Sequence, residues 1–177
     1  MINLANKISI TRIILVPFFV AAILYDRFSM ALGIFVICMI SDALDGYIAR
    51  ARDQKTQLGA LLDPIGDKLL LVSGFVTLSM TSNIPPGLRF PPYVPIIIVS
   101  RDLFTVLGCG VIYIIKGKVD IKPTYLGKVA TFFQMLSIVS VLINFSYSSA
   151  VWNIAVAFTV VSGLGYLKSA SEMLNGH

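Results

Sequence analysis

The chain has 177 residues, of which 56% are hydrophobic and 13% charged, and its formal net charge is +5. The charged share is roughly half that of a soluble domain, and a chain of this length cannot bury so much apolar surface in water. The composition therefore excludes an ordinary soluble domain and predicts an integral membrane protein with no nucleic-acid partner.

Six apolar runs follow one another along the chain, each about long enough to cross a bilayer as a helix. A loop is predicted between the third and fourth runs, where SNIPPGLRFPPY contains four prolines that cannot extend a helix. Pro64, inside the third run, is predicted to kink or begin that helix. We therefore predict an all-α integral membrane protein in which residues 1–177 form a single domain of six transmembrane helices, at residues 8–25, 29–49, 58–81, 93–115, 125–145 and 150–168.

Charged and aromatic residues place these runs relative to the membrane surfaces. With the N-terminus in the cytoplasm, ten of the lysines and arginines fall on the cytoplasmic side and only Arg27 and Arg89 on the other. Cytoplasmic loops are enriched in these residues, so both termini are predicted to be cytoplasmic. Tyr147 and Trp152, near the start of the sixth run, are predicted to form an interfacial aromatic belt.

Four of the nine acidic residues lie within the end of the second run and the start of the third. Asp42 and Asp45 are three residues apart and Asp63 and Asp67 four apart, so each pair occupies one face of its helix. A short basic loop joins the two helices, which can turn these faces toward each other. Because an aspartate at the bilayer centre costs roughly 2.5–3.5 kcal/mol, such a cluster needs neutralising cations. Mg²⁺ and Mn²⁺ suit carboxylate oxygens, and four carboxylates can bridge two such ions.

Two other interpretations of the acids stay open at this point. Independent surface aspartates would not need Gly46, Gly59 and Gly66 beside them, each of which costs about 1 kcal/mol in a helix relative to alanine. A divalent-cation transporter would use the same acids, but no second acidic site completes a path across the membrane. Arg50, five residues after Asp45, can bind phosphate through two of its guanidinium nitrogens, which favours a pyrophosphate ligand with a lipid tail.

The segment has the pattern Asp42-x2-Asp45-Gly46-x2-Ala49-Arg50-x8-Gly59-x3-Asp63-x3-Asp67. With every position filled, it resembles the signature of the CDP-alcohol phosphatidyltransferases. The resemblance implies an enzyme that transfers a phosphatidyl group from CDP-diacylglycerol to an alcohol and releases CMP. It also implies a homodimer, and we expect it in the bacterial cytoplasmic membrane with its active site facing the cytoplasm.

The resemblance further implies roles for the matching residues. Asp42, Asp45 and Asp63 would ligate two Mg²⁺ or Mn²⁺ ions, and Asp67 would contact metal and act as the general base. The CDP-diacylglycerol site would include Asn6, Gly46, Ala49, Arg50, Gly59 and, as a hydroxyl contact, Thr56.

Shorter matches concern the acceptor alcohol. Asn6-x5-Arg12 resembles the family's Asn-x-x-Thr-x-x-Arg opening, with serine at the first hydroxyl position. The segments Gly127-Lys128-x2-Thr131-x2-Gln134 and Ser162-Gly163-x2-Tyr166 resemble phosphatidylglycerophosphate synthases, whose acceptor is sn-glycerol 3-phosphate.

Cations in the later runs are consistent with a phosphorylated acceptor. Arg101, Lys128 and Lys118 can form a cationic pocket for its phosphate, which a neutral acceptor such as serine would not need. Inositol 1-phosphate would use the pocket equally well. A simple ion pair with the neighbouring Asp102 is the alternative role for Arg101, and Lys128 can instead extend to the membrane surface.

Overall fold

The computed structural model describes the backbone of residues 4–52, 57–116 and 125–175, and the side chains of residues 10–42, 66–108, 125–168 and 171. Over these ranges the chain is all-helical, as predicted, and each helix coincides with one apolar run. The largest difference is at the end of the sixth helix, which continues past residue 168. The helices are α1 (Leu4–Leu24), α2 (Phe28–Arg52), α3 (Gln57–Met80), α4 (Tyr93–Lys116), α5 (Tyr125–Leu142) and α6 (Ser148–Asn175).

The described helices include segments suited to a membrane. Tyr125–Leu142 and Ser148–Lys168 are long and apolar enough to cross one, while Ile10–Leu24 and Phe28–Asp42 are shorter apolar stretches. The number of spans and the side on which the termini lie stay predictions.

Two helices end in the same backbone motif. Asp26 after α1 and Asn144 after α5 have left-handed φ angles of 58° and 54°. The amides of Asp26 and Arg27 donate to the carbonyls of Ile23 and Ala22, at 3.0 and 2.8 Å, and an equivalent pair of bonds closes α5. This is the Schellman arrangement, with short polar side chains where glycine is more usual. It turns the chain sharply, so that α2 and α6 each begin within a few residues.

The two predictions that rest on prolines, the loop before α4 and the effect of Pro64 on α3, have different outcomes. Residues 81–92 lie outside the helices, so the predicted proline-rich loop is confirmed. Pro64 lies inside α3, which begins at Gln57, so this proline does not begin the helix. The alternative, a kink of α3 at Pro64, stays a prediction.

Aromatic packing corrects the predicted interfacial belt. Tyr147 is exposed, but Trp152 is buried, with its ring edge against Phe90 at a centroid distance of 5.5 Å. Phe90 also packs against Phe75, at 4.9 Å. The loop before α4 thus brings Phe90 into the bundle, where it gives Trp152 an apolar partner instead of the membrane interface.

The helices form two groups, which are joined by α3 and by a contact between α2 and α5. In the part of the chain that the structure describes, α1 packs against both α2 and α3, whereas α2 and α3 touch each other only slightly. α6 packs against α5 and α4, and α3 contacts α4 and α5. The two helices that carry the aspartates are therefore held together mainly through α1.

Gly74 on α3 marks a tight point in this packing. A Cβ atom there would stand 2.9 Å from Ile138 Cδ1 and 3.2 Å from Phe19 Cε1, and both neighbours are buried. We expect Gly74→Ala to lower the melting temperature in detergent, because overpacking that costs about 1–3 kcal/mol outweighs the roughly 1 kcal/mol gained by placing alanine in a helix. Ile138→Val removes the nearest atom and should restore part of the loss. Gly33→Ala on α2, where nothing lies within 4 Å, is the control and should not lower it. An unchanged melting temperature for Gly74→Ala would contradict this packing.

Candidate active site

Arg12 on α1 lies between the two helices that carry the acidic residues. The residue is only 1% exposed. Its Nη2 lies 3.1 Å from Oδ1 of Asp42 on α2, and its Nη1 donates to Oδ1 of Asp67 on α3. Because a buried guanidinium needs a compensating charge, these contacts fix the positions of three helices at one point.

The two carboxylates are more accessible than the arginine that holds them. The side chains of Asp42 and Asp67 are 37% and 30% exposed. Arg12 therefore approaches the carboxylates from the buried side of the bundle. A cation or a substrate can approach them from the other side without displacing Arg12.

The described side chains include two of the four predicted metal ligands. Asp42 and Asp67, from different helices, are brought to one guanidinium. No group of three or more His, Cys, Asp or Glu residues gathers among the side chains that the structure describes. Asp45 lies on α2 and Asp63 on α3, but their side chains are outside the described residues. Five of the predicted CDP-diacylglycerol ligands lie on the helices, but their side chains are also outside the described residues: Asn6, Gly46, Ala49, Arg50 and Gly59. The sixth, Thr56, lies outside the described backbone.

A second charged cluster begins one residue after Asp67. Nζ of Lys68 lies 3.0 Å from Oδ1 of Asp102 on α4, and the same oxygen accepts a hydrogen bond from Nη1 of Arg101 at 2.8 Å. The Asp102 side chain is 8% exposed. One buried carboxylate thus holds two cations, so the described side chains of this cluster carry a surplus positive charge. The ion pair between Arg101 and Asp102 is present, whereas Lys68 as the second partner was not predicted.

The segment Ser162-Gly163-x2-Tyr166 on α6 packs against this cluster. Nη2 of Arg101 donates to Oγ of Ser162 at 2.7 Å. A Cβ atom on Gly163 would stand 3.3 Å from Cγ of Arg101, so the glycine leaves room for the arginine stem. Tyr166 donates to the carbonyl of Thr105, one turn along α4, at 3.1 Å. The physical role of these residues is therefore to hold Arg101 in place.

The structure does not bring Lys128, another predicted acceptor residue, next to Arg101. Lys128 is exposed on the first turn of α5, and within the described ranges α4 and α5 make no direct contact. Lys118 lies outside the described residues. Gln134, from the same segment as Lys128, is buried and donates to Oγ1 of Thr159 at 2.9 Å, which pins α5 to α6.

The sequence is similar to proteins whose names state an activity. Residues 2–161 match the model of the family described as CDP-alcohol phosphatidyltransferase. The chain is 30% identical to the CDP-diacylglycerol–glycerol-3-phosphate 3-phosphatidyltransferase of Bacillus subtilis, over 98% of both chains. It is 32% identical to a protein of Mycobacterium tuberculosis named "Probable phosphatidylglycerophosphate synthase", over 98% of this chain and 84% of that one. It is also 30% identical to the cardiolipin synthase (CMP-forming) of Rattus norvegicus, over 85% of this chain and 54% of that one.

Asp102→Asn tests the charge balance of the second cluster. Without the carboxylate, the neighbouring cations Lys68 and Arg101 lose their shared partner. We expect a loss of stability on the order of 2 kcal/mol, less than for a fully buried pair because Lys68 is partly exposed, seen as a lower melting temperature in detergent. Asp26→Asn is the matched control, since the left-handed conformation at position 26 suits asparagine. Equal melting temperatures for the two variants would contradict a structural role for Asp102.

Proposed function

Because the chain belongs to the CDP-alcohol phosphatidyltransferase family, we propose that it transfers the phosphatidyl group of CDP-diacylglycerol to sn-glycerol 3-phosphate. The products are phosphatidylglycerophosphate and CMP. The observation that carries this proposal is the similarity, over nearly the whole chain, to a bacterial protein named for this reaction.

We place the enzyme in the bacterial cytoplasmic membrane, with six spans, both termini in the cytoplasm and a homodimeric assembly. The distribution of lysine and arginine supports this orientation. It puts the aspartate-bearing ends of α2 and α3 on the cytoplasmic side, where a soluble acceptor meets a lipid-anchored donor.

The carboxylates fit a pair of Mg²⁺ or Mn²⁺ ions, which Asp42, Asp45, Asp63 and Asp67 would hold. The fit rests on two features of the chain: the donors are hard oxygens, and the carboxylates of Asp42 and Asp67, from two different helices, are brought together at one residue of α1. When bound, such ions would polarise the pyrophosphate and stabilise the CMP leaving group.

The residues of the chain supply the remaining chemistry. Asp67 would take the proton from the acceptor hydroxyl, whose oxygen then bonds to the phosphorus that carries diacylglycerol, while the bond from that phosphorus to CMP breaks. Arg50 would bind the pyrophosphate of the donor. Asn6, Gly46, Ala49, Thr56 and Gly59 would form the rest of the nucleotide site.

The second cluster supports a phosphorylated acceptor. Arg101 and Lys68 share one carboxylate, so the cluster keeps one unit of positive charge that a phosphate can neutralise. Nε of Arg101 is buried and has no hydrogen-bond partner among the described atoms. Because Lys68 directly follows Asp67, a phosphate bound here would leave the acceptor near the proposed base. Lys128 and Lys118 would add positive charge at the same entrance.

A second candidate acceptor is phosphatidylglycerol, which would give cardiolipin and CMP. The similarity to a cardiolipin synthase favours it, although the chain spans only about half of that protein. Inositol 1-phosphate is a third candidate, because its phosphate would fit the same cluster. The distant alternative, a divalent-cation transporter, would move metal ions across the membrane without any CDP-diacylglycerol.

An acceptor panel tests the proposed reaction. Purified protein would be given CDP-diacylglycerol with sn-glycerol 3-phosphate, inositol 1-phosphate, phosphatidylglycerol, serine or free inositol, and the lipid products identified by mass. We expect CMP release with glycerol 3-phosphate and Mg²⁺ or Mn²⁺, and none with EDTA. Asp67→Asn should slow turnover by about 100-fold or more, while Asp26→Asn should not. Turnover with only a different acceptor, or a fully active Asp67→Asn variant, would contradict the corresponding part of the proposal.

Arg101→Gln tests the acceptor-phosphate site. Loss of a charged hydrogen-bond donor should raise the KM for glycerol 3-phosphate by about tenfold or more and leave the KM for CDP-diacylglycerol nearly unchanged. Arg89→Gln is the control, because Arg89 is also partly buried but bonds the carbonyl of Ser79 next to the loop before α4. A lower melting temperature with an unchanged acceptor KM would mean that Arg101 serves only the ion pair with Asp102.

A further inference from the structure

The proposed reaction does not by itself explain why a buried arginine contacts the carboxylates that would hold metal ions. Arg12 adds a full positive charge to Asp42 and Asp67, where divalent cations would also bind. Like charges only a few ångströms apart repel each other strongly at the low effective dielectric of a protein site. Arg12 therefore opposes the binding of the ions that the site is proposed to take.

The same charge is favourable when no metal ion is bound. Two carboxylates held near each other repel, and the guanidinium between them offsets that repulsion with contacts to both. Arg12 contacts them from the buried side, while the carboxylates themselves are about one-third exposed. A metal ion therefore does not need to displace Arg12, and both charges would act on the carboxylates together.

We infer that Arg12 is a resident counter-cation, which holds Asp42 and Asp67 together before divalent ions bind and lowers the affinity of the carboxylates for those ions. This inference rests on the proposed function, because it requires that divalent ions bind these aspartates. Its consequence is that the ions bind tightly only when a further negative charge arrives, and the pyrophosphate of the donor would supply that charge.

Mn²⁺ alone is the probe that tests the inference. Its binding to detergent-solubilised protein is measured from the loss of the free-ion electron paramagnetic resonance signal, without nucleotide or acceptor. We expect Arg12→Gln to bind Mn²⁺ about tenfold or more tightly than the parent, because the opposing charge is gone. Arg12→Lys keeps that charge and should stay within about threefold of the parent.

Thermal unfolding gives a second measurement, followed by the fluorescence of Trp152, the single tryptophan of the chain. Metal-free Arg12→Gln should melt at a lower temperature than the parent, and Mn²⁺ should raise its melting temperature by more than it raises that of the parent. Arg89→Gln is the control and should show the parent's Mn²⁺-induced rise. A purely structural role for Arg12 would lower the melting temperature without enlarging that rise.

If Arg12→Gln does not fold, the comparison is made in the Asp67→Asn background, where less carboxylate repulsion remains. The double variant should bind Mn²⁺ more tightly than Asp67→Asn alone. Equal or weaker Mn²⁺ binding after removal of the Arg12 charge, in either background, would overturn the inference. If neither the parent nor the variants that lack the Arg12 charge bind Mn²⁺, the proposed metal site is refuted, and the inference falls with it.

Discussion

The structure depends on one buried cation, Arg12, which contacts a carboxylate on each of two other helices. The charge of Arg12 is tolerated at 1% exposure because Asp42 and Asp67 stand within reach. Neighbouring positions on a helix differ in direction by about 100°. The contacts of position 12 therefore help to set how α1 is rotated against α2 and α3. A buried and costly side chain of the first helix thus orients the proposed active site.

α3 carries this constraint to the other half of the bundle. Asp67 and Lys68 are consecutive, so one side chain reaches α1 while the other reaches Asp102 on α4. The contacts of Arg12 and the cluster around Asp102 therefore meet at a single turn of α3, where each uses a different side chain. In the proposed reaction, this turn would set the distance between the base and the phosphate of the acceptor.

The sequence predicted the helices well and the side-chain partners less well. Apolar run length and prolines locate the helices because they depend on local structure and on transfer to a membrane. The pairing of Lys68 with Asp102 crosses 34 positions, and no local spacing indicates it. Arg12 was counted only as a topological charge and as part of a motif, since a lone arginine does not indicate which helices will surround it. Trp152 was misplaced for the same reason, because the Phe90 that covers it comes from a distant loop.

The division between the two halves of the bundle has a chemical consequence. The carboxylates that would act on the donor are positioned by α1, α2 and α3, whereas Arg101 is positioned by Asp102 on its own helix and Ser162 on α6. The proposed chemistry at the pyrophosphate is common to all acceptors, but recognition of the acceptor is not. A change at the contact between α4 and α6 can therefore alter the proposed acceptor site while the contacts of Arg12 stay intact. This separation explains why residues on α6, far along the chain from the aspartates, carry a resemblance that concerns the acceptor.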